Sequence, residues 1–298
     1  MAQIIISSEY YHPAFDKNNP PVARAHSGDT VIFHCRDCYN GAMHTDYMQR
    51  SDMIRTCANP ATGPLFVEEA KPGDVLKVEI LEIIHDEKCC MSVRPGLGAY
   101  EIDQSICRVF RVDPQAMTFD FDGITIPLRP MIGVIGTAPA GEPVSTEIPG
   151  EHGWNMDIKD MTAGATLYLP VNVEGALLSM GDLHGLQGDG ESAICGLEMN
   201  GRVTVRVSVL KDREDIPTPM LENATHYMTA AADPSLDVCS IAAARKMHRF
   251  LIGHTDLDNP HSAMLLSLKG DLRISQIVND SKGCIMAFPK NVVNFRFE

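Results

Sequence analysis

The chain has 298 residues, of which 44% are hydrophobic and 21% charged, a balance that supports a buried core and argues against a disordered chain. Its 39 Asp and Glu against 25 Lys and Arg leave a formal charge of −14, which repels a phosphate backbone or an anionic leaflet. Neither nucleic acid nor a membrane surface is therefore expected as a partner, and a small neutral or cationic ligand fits better.

The N-terminal run Met1-Ala2-Gln3-Ile4-Ile5-Ile6-Ser7 has no basic segment and too short an apolar one for a secretory leader. No stretch approaches the roughly 18 apolar residues of a membrane-spanning helix. Nine cysteines, an odd number with Cys89 and Cys90 adjacent, read as reduced thiols of a cytoplasmic protein.

Period-two patterns follow in chain order. Thr30 to Cys35 reads as a strand after the turn Ser27-Gly28-Asp29, and Val75 to Ile84 as another after Pro72-Gly73-Asp74. Asp122-Gly123, between Phe119 and Phe121 on one side and Ile124 and Ile126 on the other, predicts a tight hairpin, because both central positions of a type I′ turn need positive φ. Asn200-Gly201, between Ile194 to Met199 and Val203 to Val209, predicts a second. After Pro217 and Pro219 the period changes. Asp233-Pro234 reads as cap and first residue of a helix with Val238, Ile241, Ala244, Met247 and Phe250 on one face and Gly253 past its end. Asn259-Pro260 opens a shorter helix closing at Gly270, and Leu272, Ile274, Ile277 and Val278 suggest a last strand. The expected fold is mainly β, with residues 1–220 as an antiparallel body and residues 221–298 as a smaller α/β appendix packed on it.

The densest polar segment is Gly181-Asp182-Leu183-His184-Gly185-Leu186-Gln187-Gly188-Asp189-Gly190-Glu191, expected to lie between two strands, Val171 to Met180 and Ala193 to Met199. In extended backbone Asp182 and His184 project to one face, a spacing suited to metal ligation. A carboxylate and an imidazole suit Zn²⁺ or a related ion, while Asp189 and Glu191 repeat the spacing with oxygen ligands that also admit Ca²⁺. The alternative is a polar hairpin loop whose carboxylates face water. In Gly150 to Asp157, the polar groups His152, Asn155 and Asp157 surround Trp154, the only Trp in the chain. Cys35-Arg36-Asp37-Cys38 forms a CxxC without a partner pair at zinc-site spacing. There Asp37, just past a strand end, is the residue that could reach a shared site. Glu174 is a lone acid in an apolar run; buried, it would have a raised pKa suited to general acid/base work. Phosphate-loop, dinucleotide, serine-elbow and HExxH motifs do not occur.

Several of these segments together resemble the acetamidase/formamidase family: Asn59-Pro60-Ala61-Thr62-Gly63-Pro64-Leu65-Phe66-Val67-Glu68, Pro72 to Leu76, Arg129-Pro130-Met131-Ile132-Gly133, His152 to Asp157, and Leu169 through Glu191. The resemblance implies a jelly-roll-like antiparallel β-sandwich with a smaller α/β part, a homo-oligomer (dimer or higher), and metal-dependent hydrolysis of small amides. It places the metal at Asp157, Asp182 and His184, with Asp37 as a further ligand. Two positions depart from the family pattern. Trp154 stands where the family usually has Gly, which would put a ring beside the pocket, and Glu69 stands before the Pro-Gly-Asp turn where Gly is common.

The expectation is thus a divalent-metal amidohydrolase, with Zn²⁺ as the leading ion and Ca²⁺ at a carboxylate-rich site as the other. Glu174 is the leading proton shuttle and Asp189 or Glu191 the second, while His152, Trp154 and Asn155 contact the substrate. Two alternatives stand beside it: an amidase with a cysteine nucleophile, and a non-catalytic β-sandwich that binds a metal or small ligand.

Overall fold

Burial alternates along Thr30–Cys35 as a half-buried strand requires, with Val31, Phe33 and Cys35 inward. The structure, a computed structural model, describes residues 3–54 and 56–297. The strands that position the site are β1 (Thr30–Cys35), β2 (Ala61–Val67), β3 (Val75–Val93), β4 (Thr118–Phe121), β5 (Ile124–Pro127), β6 (Met131–Gly136) and β7 (Gly153–Asn155). They continue with β8 (Thr166–Pro170), β9 (Leu178–Leu186), β10 (Leu197–Leu210) and β11 (His226–Asp233), then helices α1 (Leu236–His254) and α2 (Asn259–Lys269), and finally β12 (Asp271–Gln276) and β13 (Lys282–Pro289).

Eighteen strands, these among them, form one hydrogen-bonded network. Among the described residues it is antiparallel except where Ile4–Ile6 joins β1 and Ala23–Ala25 joins β2. The network branches at β10, which pairs with β1, β3 and β9. Its inward faces bury Val31, Phe33, Leu65, Leu76, Val78, Ile132, Leu183, Val203 and Val205 in one core. At about 1.5–3 kcal/mol for each large apolar side chain fully buried, this frame can hold unfavourable polar groups in fixed positions.

The β4–β5 hairpin forms at Asp122-Gly123, both with positive φ (52° and 89°). The turn expected at Asn200-Gly201 does not form: neither residue has positive φ, and β10 runs through them as one strand with a bulge between Met199 and Gly201. The reason is tertiary. β3 is longer than expected, reaching Val93, and it pairs with β10 from Leu210 back to Glu198. Gly201 is needed there for close packing, since a Cβ would stand 2.4 Å from the Ile84 carbonyl oxygen. The strand expected from Val171 to Met180 starts only at Leu178 and extends through Asp182 and His184, so these two lie within β9 and not in a loop.

In the C-terminal part β11 pairs with β13 along its full length and β13 with β12. The network crosses residue 220, because Met220–Glu222 pairs with both β8 and β11. Helix α1 starts at the N-cap Ser235, two residues past the expected cap, and continues through Gly253. Its buried stripe also differs: Cys239, Ala243, Lys246, Met247, Phe250 and Leu251 face inward, whereas Val238 and Ile241 are about half exposed. Helix α2 has Asp258 as N-cap and Gly270 as C-cap. Ile277 and Val278 lie past the end of β12. No described helix is long and apolar enough to cross a membrane.

Candidate active site

β9 carries the centre of the site. Asp182 and His184 are almost fully buried, at 2% and 1% exposure. His184 Nε2 lies 3.4 Å from Asp182 Oδ1 and 3.2 Å from Glu198 Oε1, a residue of β10. On the other side of the ring, Nδ1 meets Gln187 Oε1 at 2.7 Å. The Gln187 amide nitrogen donates to the carbonyl oxygens of Asp157 (2.7 Å) and Ser275 (3.3 Å), so Oε1 is an acceptor and His184 Nδ1 must carry a proton. Nε2 then faces the carboxylates, the orientation of an imidazole whose distant nitrogen is anchored and whose near one is offered to a cation.

Two groups of three ligand atoms, each within 4.8 Å of one another, meet here: Asp157, His184 and Glu191, and Cys38, Asp182 and Glu198. Asp157 Oδ1, His184 Nε2 and Glu191 Oε2 are buried without a hydrogen-bond partner among the described residues. Uncompensated buried carboxylates are costly, so a donor set of acid oxygens, an imidazole nitrogen and a thiol fits a divalent cation, and the nitrogen and sulfur favour Zn²⁺.

The electrostatics follow from burial and like charge. Burial pushes Asp157 up to about 7, with His184 pulling against it, and pushes Glu198 up to about 8. Burial and then the Asp157 charge hold Glu191 well above the usual carboxylate range. Burial opposes charge on His184, but Glu198 and Asp182 outweigh it and raise the imidazole well above its ordinary value.

The backbone is shaped to this arrangement. Asp157, Asp182 and Glu191 all take positive φ (45°, 54° and 45°), a region unfavourable for residues with a Cβ. Gly133 on β6 leaves the space the acids occupy, since a Cβ there would stand 2.7 Å from Asp157 Oδ1 and 2.8 Å from the Asp182 carbonyl oxygen. The C-terminal part closes the loop after β9: Gly190 N–H donates to Ser275 O and Ile277 N–H to Gly190 O.

Asp157, Asp182, Glu191, Glu198 and Cys38 line a small cavity of about 80 Å³ together with Tyr39, Asn59, Arg94, Glu147, Asn155, Ile194, Cys195 and Asn279, and His184 lies against these acids without lining it. Asn59 Nδ2 donates to Asp182 Oδ2 (3.0 Å) and to Asn155 Oδ1 (3.2 Å), tying the two walls together. Arg94 Nε and Asn279 Nδ2 are buried donors with no partner among the described residues.

Of the residues singled out in the sequence, Asp157, Asp182, His184, Glu191 and Asn155 come together here. The others do not. Trp154 points away: Asn155 lines the cavity, while Trp154, at a φ of 77°, packs with Phe15, Ala61 and Val134 and donates from Nε1 to Thr137 O. The ring expected beside the pocket is core. His152 stacks on Trp154 with ring centres 4.8 Å apart and does not line the cavity. Asp37 is buried, but its Oδ1 accepts the backbone N–H groups of Tyr39 and Gly41, which shapes the loop carrying Cys38. Asp189 pairs with Lys159 and Arg273, which outweigh its burial and hold its carboxyl below the usual range. Glu174 is exposed in the turn before β9, so the burial that would have raised its pKa is absent. The residues missed are Cys38, Glu198 and Gln187. Glu198 carried a signal, an acid in the apolar run before Asn200, obscured by the hairpin expected there.

A mainly antiparallel β protein that gathers acids, thiols and an imidazole around one small polar cavity has the groups of an enzyme that works on small polar molecules. The chain is a member of the acetamidase/formamidase family, a family of amidohydrolases: the family profile matches residues 3–146 and 140–236. It is similar to an acetamidase from Bacillus halodurans whose crystal structure superposes with a TM-score of 0.93 at 43% identity, covering 96% of this chain and 97% of that one. It is also similar to a formamidase from Methylophilus methylotrophus, 27% identical over 67% of this chain and 64% of the relative. An acetamidase from Mycolicibacterium smegmatis is 25% identical over 67% of this chain and 66% of its own length. The chain thus spans about two thirds of the length of these two relatives.

Proposed function

We propose that the protein hydrolyses the C–N bond of short aliphatic amides, formamide and acetamide in kind, to a carboxylate and ammonia in this cavity, with a divalent metal, Zn²⁺, as cofactor. The observation that carries the reading is the grouping of ligand atoms of Asp157, His184 and Glu191 within 4.8 Å of one another, with Asp157 Oδ1, His184 Nε2 and Glu191 Oε2 buried and without a hydrogen-bond partner among the described residues, beside the cavity that Asp157 and Glu191 line. Asp182, His184 and Glu198 would hold the metal, flanked by Cys38 and Asp157. A metal there supplies polarisation of the amide carbonyl and activation of water near neutral pH.

The chain's own residues do the rest. An amide resists hydrolysis because its nitrogen leaves poorly without a proton, and Glu191, whose carboxyl burial and Asp157 hold well above the usual range, is the acid at the cavity wall that can deliver one. Water adds to the carbonyl carbon, the C–N bond breaks, Glu191 gives its proton to the departing nitrogen and regains one from the water. Arg94 Nε and Asn279 Nδ2 are placed to donate to the carbonyl oxygen as charge develops on it. Asn155 orients the site through Asn59. Glu174 and Asp189 have no role in this scheme.

A cysteine nucleophile is disfavoured. Cys38 and Cys195 reach the cavity, but burial raises Cys195 to about 12 and, with Glu198 and Asp182, raises Cys38 well above its ordinary value. A thiol held neutral by neighbouring carboxylates is a poor nucleophile. The same reading includes a cytoplasmic homo-oligomer, dimer or higher, for which the apolar Val238, Ile241 and Met264 exposed on α1 and α2 offer a surface.

The test is metal analysis of protein purified without added metal, with ammonia release from formamide and acetamide before and after chelation. Bound zinc and turnover abolished by the chelator are expected, with both lost in Asp182→Ala and His184→Ala. Metal content and turnover unchanged in both variants would sink the proposal. Inactivation by N-ethylmaleimide without sensitivity to chelator would favour the cysteine mechanism, and bound metal without ammonia release would leave a binding protein.

A further inference from the structure

Ile194 is the one aliphatic side chain among the described residues that line the cavity; the rest of the wall is acids, amides, thiols, an arginine and a tyrosine. Its backbone N–H donates to Glu191 O (3.1 Å), which holds it beside the acid assigned above to the leaving nitrogen. Its φ of 94° is a conformation a β-branched residue rarely adopts.

The loop that carries Ile194 has a second face. Ala193 and Cys195, on either side of it, line a neighbouring apolar pocket of about 300 Å³, walled by Met91, Phe119, Phe121 and Ile126. Glu191 and Cys195 border both spaces. The partition between a small polar cavity and a larger apolar one is thus a single stretch of loop, and Ile194 is its inward-facing side chain.

Resting on the amidohydrolase reading, we propose that Ile194 is the specificity-determining residue of the site: it meets the acyl substituent of the amide and limits its length, and the apolar pocket behind it is the space longer chains are denied. The size of the cavity agrees. At roughly 15 Å³ for each water-sized position, 80 Å³ holds about five, enough for an amide group, one or two acyl carbons and the attacking water. The substrate class is accordingly unbranched amides of one to three carbons.

The experiment measures kcat/KM for formamide, acetamide, propionamide and butyramide with the wild type, Ile194→Ala and Ile194→Phe, each checked for metal content and for a native circular dichroism spectrum. Each methylene matched to an apolar surface is worth about 10-fold or more in kcat/KM. In Ile194→Ala the butyramide-to-acetamide ratio should rise about 10-fold or more, and in Ile194→Phe the propionamide-to-formamide ratio should fall. Unchanged ratios in both folded variants overturn the assignment while leaving the hydrolase reading intact. A wild type inert on all four amides removes the hydrolase reading itself, and this proposal with it.

Discussion

Gln187 makes no contact with a reacting atom in this scheme, yet it decides which nitrogen of His184 faces the acids. Replacing it with Leu removes the 2.7 Å contact to His184 Nδ1 and the bonds to the carbonyl oxygens of Asp157 and Ser275. The buried His184 N–H and the Asp157 carbonyl lose a partner, while Ser275 O keeps the Gly190 N–H. At about 1 kcal/mol for each ordinary hydrogen bond, and up to about 3 for an orphaned buried group, the loss should be about 2–5 kcal/mol. That is a large part of an ordinary domain's stability but leaves the protein folded at room temperature. With the ring free to rotate or change tautomer, turnover and metal affinity should fall about 10–100-fold, as when the outer partner of a ligating histidine is lost. Gln187→Glu separates the effects: it keeps an acceptor for Nδ1–H but cannot donate to the two carbonyls, so it should lose stability while retaining more activity than the Leu variant. Urea unfolding gives the first quantity, and ammonia release at saturating metal the second. Wild-type turnover and metal affinity in a folded Gln187→Leu protein would refute the argument that this amide sets the histidine.

Two further predictions concern the frame. His12, buried against Ser179 Oγ at 2.8 Å, has its pKa lowered by burial from 6.5 to about 4. Between these values the unfolded chain holds the extra proton, so stability is complete above about pH 6.5 and declines as pH falls to about 4; at ~1.4 kcal/mol per pH unit the loss is about 3 kcal/mol. Urea unfolding across this range should show a shallower acid limb for His12→Gln, and an unchanged slope would remove His12 from the account. Lys246, buried on α1, donates to the carbonyl oxygens of Thr218 (2.9 Å) and Ala230 (3.0 Å) and pairs with Glu151 at 2.6 Å. Lys246→Met should cost about 2–3 kcal/mol in thermal or urea unfolding despite its apolar burial, because those acceptors are left without a donor; a neutral or stabilising effect would contradict it.

The parts of the fold legible in sequence were those governed by local rules. Asp122-Gly123 forms its hairpin because the turn is specified by two residues that tolerate positive φ. Asp258 and Gly270 bound α2 because capping is decided within one turn of helix. Asn200-Gly201 carried the same hairpin signal and does not turn, because a β3 that runs on to Val93 supplies a continuous partner for β10. Lys246 is buried on α1, and the carbonyls of Thr218 and Ala230, distant in sequence, make its burial tolerable.

For the site, the i, i+2 spacing marked Asp182 and His184 as a pair, and they do meet, although Asp182 itself takes a φ of 54° and not the extended backbone that spacing assumes. Glu191 was also visible, as an acid in a segment without Lys or Arg, and Asp157 as one of the polar groups around Trp154. What they share was not. Whether an acid is catalytic, ion-paired or solvated depends on what the rest of the chain places beside it: Arg273 and Lys159 reach Asp189, nothing covers Glu174, and Glu198 enters the cavity from β10 while Cys38 enters it from the loop after β1. Local propensity, spacing and motif order determined the β class, the bounds of α2 and the family. Burial beside other acids, which raises a carboxyl well above its usual range, is a property of distant segments meeting, and only the tertiary structure decided it.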